Sequence, residues 1–185
     1  IKNEAIHISF GDGPMNNVDL ASDIILSLVN NAKKNIYIST PYLIVNQEII
    51  DALANASASG VDVRILVPCI PDKKVVFWMT QAHYRKILEK GGKIYEYTPG
   101  FNHAKEIVVD GEYAMLGTIN LDYRSLYLHF ENGVFLYKCD CLKDIEEDFN
   151  QTFLVSKEIR KEDIQNLPFI KRVLRFILNV FAPLL

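Results

Sequence analysis

The chain has 185 residues, 49% of them hydrophobic and 23% charged, enough apolar side chains for one compact domain with an ordinary core. A formal net charge of −3 removes any general pull towards a polyanion such as duplex nucleic acid, so an anion has to be gripped locally. Three cysteines, Cys69, Cys139 and Cys141, form no paired framework, which speaks against a disulfide scaffold and for a reducing compartment.

From about Leu20 onward, apolar runs of strand length alternate with segments of helical period, the pattern of a layered α/β domain. Leu20, Ile24, Leu28 and Ala32 recur every fourth position and predict a helix over about 19–34. Asn35–Ser39 follows as a buried strand, halted at Thr40-Pro41 because proline cannot continue a ladder. A second helix over 47–59 ends at Gly60, and 61–67 reads as the next strand, with Pro68 and Pro71 bracketing a loop. A third helix over 74–90 is stopped by Gly91-Gly92, and Lys93–Tyr97 is a further strand. The chain is then strand-rich to about Tyr137, with helix returning over about 141–153. An apolar stretch over 167–185 stands apart, dividing the sequence into a domain over 1–166 and a tail. No repeat, low-complexity linker or signal peptide is legible, and no apolar run reaches the roughly eighteen residues of a membrane-spanning helix. Ile1 in place of an initiating methionine leads us to expect a piece of a longer protein.

The chemically informative stretch is 103–120. His103 and Lys105 stand two apart in a β-rich segment, so their side chains are expected on one strand face, and Thr118 and Asn120 have the same relation. Asp110-Gly111 signals a hairpin between them. Two registers are open: His103 across from Thr118, or a slip that sets His103 across from Asn120 and Lys105 across from Thr118. Either gathers all four side chains on one face. Such a group suits a phosphodiester: Lys105 offers fixed positive charge to the non-bridging oxygens, and Thr118 and Asn120 offer neutral donors. His103 can attack phosphorus or move a proton near neutral pH, without a metal. Asp110 has the opposite strand parity and reads as structural.

The spacing His103-x-Lys105, then Asp110, then Gly117-Thr118-x-Asn120, resembles the defining motif of the phospholipase D superfamily. Thr118 stands where that motif usually has serine, keeping the hydroxyl and adding a methyl group. Thr40-Pro41-Tyr42, the run from Gly60 to Arg64, Ile94 to Tyr97, Asn120 to Ser125 and the terminal Pro183-Leu184-Leu185 are similar to segments of the cardiolipin synthase group, in the same order.

That resemblance, to the C-terminal half of such an enzyme, implies an α/β/α sandwich with a mixed central sheet. Two such domains would face one another, each giving a His-Lys set to a shared site, so that one copy is an inactive half. The partner is then a sister N-terminal phospholipase D-like domain or a second copy of the chain. The implied reaction moves a phosphatidyl group between two phosphatidylglycerol molecules, giving cardiolipin and glycerol through a phosphatidyl-histidine. No cofactor takes part, and the work is done on the cytoplasmic side of a bacterial membrane surface. His103 is favoured as general acid and base, with the nucleophile role open, and Glu131 is expected to accept a hydrogen bond from its other ring nitrogen. Two rivals are a homodimeric phosphodiesterase or nuclease using water, and a non-catalytic fragment that binds anionic lipid. The acidic balance and basic tail argue against a nucleic-acid partner.

The remaining candidates have plainer readings. His7, His83 and His129 are expected to be structural or surface residues, His129 being the least clear because it shares a strand face with Glu131. Cys139-x-Cys141 reads as two unpaired thiols rather than half a metal site. Phe77, Trp78 and Tyr84 read as core packing with some exposure rather than an acyl channel. Tyr42 belongs to turn packing or touches substrate. The tail, with Lys171, Arg172 and Arg175, either lies on an anionic membrane or docks on the domain.

Overall fold

A computed structural model describes residues 5–165. In chain order it holds β1 (Ile6–Asp12), α1 (Leu20–Asn31), β2 (Asn35–Ser39), β3 (Leu43–Ile44), α2 (Gln47–Ala58), β4 (Asp62–Pro68), α3 (Lys74–Glu89) and β5 (Lys93–Tyr97). Then follow β6 (Glu106–Val109), β7 (Tyr113–Gly117), β8 (Leu121–Asp122), a π-helical turn (Arg124–Leu128), β9 (Glu131–Tyr137), α4 (Cys141–Leu154), β10 (Ser156–Ile159) and α5 (Lys161–Gln165).

Eight strands form one mixed sheet in the order β1-β9-β7-β6-β2-β4-β5-β10. Within it β2, β4 and β5 run parallel to one another and every other pairing is antiparallel, while β3 and β8 form a separate parallel pair. Both faces of its centre are buried, because alternate side chains feed two cores. Ile36 and Ile38 of β2, Ile65 of β4 and Ile94 of β5 pack under α1, α2 and α3 with Ile25, Ile49, Leu53 and Ile87. The intervening Tyr37, Leu66 and Tyr95 turn to the other face and meet Phe149 and Phe153 of α4. Each aliphatic side chain so removed from water contributes about 1.5–3 kcal/mol, and the layers make the α/β/α sandwich that the resemblance implies.

Local signals explain the boundaries. Gly60 and Gly91 adopt φ values of 96° and 97°, the left-handed conformation that closes α2 and α3 at little cost to a residue without Cβ. The start of α1 is held from a distance: buried Asp12 accepts the Ala21 amide at 2.7 Å and the Gly13 amide at 2.9 Å.

Three expectations are corrected. The buried stripe of α1 is Ala21, Ile25, Leu28 and Val29, so Leu20 and Ile24 sit to one side of it. Strands β1 and β10 were not anticipated; both are edge strands, and β1 leaves Ile6 and Ile8 exposed, weakening the apolar pattern that marks a core strand. The hairpin adopts neither expected register: Val109 pairs with Tyr113 around Asp110, Gly111 and Glu112. Asp110 and Gly111 both take positive φ, and the Glu112 amide closes the turn onto the Val109 carbonyl, so the loop gains one residue. The 167–185 tail lies outside the described residues.

Candidate active site

Antiparallel pairing brings the start of β6, the end of β7 and the start of β9 to the same end of the sheet. His103 and Lys105 lie just before β6, in an irregular segment rather than a strand. Asn102 shapes that segment: its side-chain oxygen accepts the Ala104 amide at 3.0 Å, and its amide donates to Ser39 Oγ at 2.9 Å. Thr118 and Asn120 follow β7. Gly117 has to be glycine, because a Cβ there would run into the Asn132 carbonyl oxygen of β9.

The four expected side chains, His103, Lys105, Thr118 and Asn120, together line one open depression of about 640 Å³. They converge through the loop, and the one-face strand argument is not the reason. Lys105 Nζ donates to His103 Nδ1 at 3.1 Å and to the His103 carbonyl at 2.7 Å. Burial holds the Lys105 ammonium below the usual lysine range, against the opposing pull of Glu131 and Asp122. The exposed ring of Phe101 stacks on His103, with centroids 5.5 Å apart and planes 28° from parallel.

Glu131 is buried, but its carboxylate does not meet His103. One oxygen accepts the Thr118 hydroxyl, and the other lies 3.6 Å from His129 Nδ1. His129 in turn accepts from Arg124 Nε at 3.2 Å, so it belongs to the site's surroundings through Glu131. Thr118 also accepts the Asn132 amide at 3.0 Å. Asn120 donates to Ser125 Oγ at 3.1 Å, and its buried side-chain oxygen has no partner among the described residues.

Asp110 points elsewhere. Its carboxylate accepts the backbone amides of Lys33, Lys34 and Asn35 at 2.7–3.2 Å, pinning the link between α1 and β2 to the hairpin. Tyr42 donates to Asp72 at 2.5 Å, and burial and then that carboxylate push its phenol above the usual range. Tyr84 is buried in the first core, whereas Trp78 is exposed. His7 sits 3.4 Å from the Cys139 sulfur, and burial pushes His83 down to about 4. The three cysteines are free thiols, and no cluster of three or more metal-ligating side chains occurs among the described residues.

Sequence reasoning missed Asn102, Phe101, Ser39 and Ser125. For Asn102 there was a signal, since asparagine two residues before a backbone amide often closes an Asx turn. The others acquire a role only from partners distant in sequence.

Residues 25–153 match the family described as cardiolipin synthase, PLD-like domain. An uncharacterized protein of Streptococcus mutans is 41% identical over 96% of this chain and 39% of its own length. A cardiolipin synthase of Geobacillus kaustophilus is 39% identical over 94% of this chain and 34% of its own length. The chain therefore spans well under half of these curated relatives. Among solved structures, the phospholipase D family member Nuc from Salmonella typhimurium has a TM-score of 0.73 at 20% identity, covering 85% of this chain and 100% of that one. Phosphatidylserine synthase of Haemophilus influenzae has a TM-score of 0.74 at 21% identity, covering 100% of this chain and 47% of that one. At these identities the likeness is one of fold.

Proposed function

Because the chain belongs to the family of cardiolipin synthase, PLD-like domains, within the phospholipase D superfamily, we propose that it supplies one His-Lys set to a phosphatidyltransferase. The reaction joins two phosphatidylglycerol molecules into cardiolipin and glycerol. The observation that carries this reading is the pairing of one exposed imidazole, His103, with the Lys105 ammonium in a single open depression. Transfer at phosphorus through a covalent intermediate needs a nucleophile and a proton carrier, and the family resemblance implies that both are histidines. His129 is engaged with Arg124 and Glu131. The same resemblance implies that the second ring comes from a sister domain or another copy.

In the first displacement a histidine nitrogen of the partner set forms a bond to phosphorus, and the bond from phosphorus to the glycerol oxygen breaks. His103 gives its proton to the departing oxygen. The acid role requires the imidazolium, with hydrogen on both ring nitrogens, so the Lys105 contact at Nδ1 belongs to the neutral ring, and the acid form keeps the Lys105 bond to the His103 carbonyl. In the second displacement His103 takes the proton from the terminal hydroxyl of another phosphatidylglycerol. That oxygen bonds to phosphorus as the nitrogen–phosphorus bond breaks. One phosphodiester replaces another, and no nucleotide drives the exchange.

Lys105 and the second amide hydrogen of Asn120 hold the phosphoryl oxygens, while Thr118, whose hydroxyl hydrogen goes to Glu131, fixes that carboxylate beside them. Lipid substrates place the work at a bacterial membrane, and three free thiols suit its cytoplasmic side.

The test is product analysis with labelled phosphatidylglycerol and the parent enzyme. His103→Ala should lower cardiolipin formation by about 10³-fold. Near-normal turnover by that variant would refute the assignment, and plasmid nicking by the wild type would favour a nuclease.

A further inference from the structure

His103 borders a second cavity. On the α4 side of the sheet, a space of about 300 Å³ opens beside the imidazole, floored by Leu66 and Phe149 and walled by Ser39, Tyr97, Glu106 and Thr152. It shares His103, Ala104 and Glu106 with the first depression, and its remaining lining residues are its own. Ser39 and Glu106 are direct cross-strand partners, so both side chains leave the sheet on one face. Ser39 ends β2 at the carboxyl edge of the parallel strands, the edge where α/β sheets commonly take ligands. Helix α4 crosses that face and adds Asp148 at the rim.

The two cavities differ in polarity. The first offers the Lys105 ammonium and the Asn120 amide, which suit a phosphoryl group. Glu106 borders both; the second adds acceptors of its own, the Asp148 carboxylate and the hydroxyls of Ser39, Tyr97 and Thr152, and holds no ammonium. Neither carboxylate has a hydrogen-bond or ion-pair partner among the described residues. Burial, and then the charge of Asp148, raise the Glu106 carboxyl above its usual range. A ligand bearing several hydroxyl donors satisfies these groups, and a phosphate is repelled by them.

We infer that this second cavity receives a neutral polyol, the glycerol head whose oxygen is delivered to or released from phosphorus at His103. The inference rests on the transferase reading and extends it: His103 stands between a phosphoryl side and an alcohol side, where a proton has to pass from one to the other. Hydroxyl groups on three walls favour a polyol over an amine, and the volume sits at the small end of ligand pockets.

The experiment offers the parent enzyme phosphatidylglycerol vesicles with equal concentrations of labelled glycerol and 1-propanol, and reads the ratio of the two transfer products. That ratio is independent of the amount of active enzyme. The wild type should favour glycerol, Glu106→Leu should lower the ratio by about tenfold, and Thr152→Val should lower it by about threefold, as expected for lost hydrogen bonds to a bound hydroxyl. An unchanged ratio in both active variants overturns the subsite. Ethanolamine displacing glycerol in the wild type, with that advantage lost in Glu106→Leu, overturns the polyol assignment. In parallel, glycerol should shift the Thr152 methyl resonance of the 185-residue chain. A shift without any lipid transfer keeps the subsite and removes the transferase reading, whereas transfer with no shift and an unchanged ratio does the reverse.

Discussion

Lys105 carries a cost that its proposed role as an anion holder accounts for. Burial disfavours its ammonium form, yet that form donates both to the His103 ring and to the His103 carbonyl. A lysine held below its ordinary range loses its proton earlier as pH rises. Binding of inorganic phosphate to the chain, followed by calorimetry above about pH 8 to clear the second ionisation of the phosphate, should therefore weaken with rising pH. Lys105→Met should bind weakly throughout and show no such slope; a slope surviving in that variant would detach Lys105 from the anion. Asp110 works at the same scale with a different purpose. Its carboxylate gathers three backbone amides while its own φ is 58°. Asparagine tolerates that φ and keeps one acceptor, whereas alanine loses both advantages. Asp110→Ala should cost about 2 kcal/mol in urea unfolding, with Asp110→Asn costing less than half of that. Equal losses would show that the bonds, and not the backbone conformation, dominate.

At the scale of elements, α3 carries a pH-sensitive weakness. His83 is mostly buried on that helix, its Nε2 has no partner among the described residues, and burial pushes its pKa from 6.5 to about 4. The folded state therefore resists a proton that the unfolded chain accepts. Stability from this group is complete above pH 6.5 and is lost as pH falls from 6.5 towards 4. The amount is about 3 kcal/mol for a shift of this size. Thermal melts should show a steady fall in Tm across that window, and His83→Gln should flatten it; an identical pH profile in the variant would assign the loss to other groups. The hairpin makes a contrasting case. Asp110-Gly111 announced a tight turn correctly, but two-residue and three-residue loops both accept an Asp-Gly pair at positive φ. The three-residue loop is set where Val109 pairs with Tyr113 and the Glu112 amide closes onto the Val109 carbonyl.

At the scale of the whole molecule, the described residues form a sandwich that presents one His-Lys set at one end of its sheet. If the set is half of a site, catalysis belongs to the pairing of two such domains. The isolated chain should give no measurable cardiolipin, and rate should return on mixing with a domain that carries the second set, saturating at equal stoichiometry. Activity rising with the square of the concentration of this chain alone would instead assign the partner role to a second copy. Efficient transfer by a monomer would sink the two-set reading.

What the sequence determined by itself was local or periodic. The helices and central strands were legible because apolar spacing and glycine stops act within a few residues, and the gathering of His103, Lys105, Thr118 and Asn120 in one depression was legible because their types and spacing form one short pattern. Tertiary structure decided the rest. It turned Glu131 towards Thr118 and His129 instead of His103, set the hairpin register, and shaped the loop through Asn102 and Ser39. It also placed an acceptor-lined cavity beside the imidazole by laying α4 over Ser39 and Glu106. Each of these depends on contacts between residues far apart in the chain, whose relative positions no local propensity specifies.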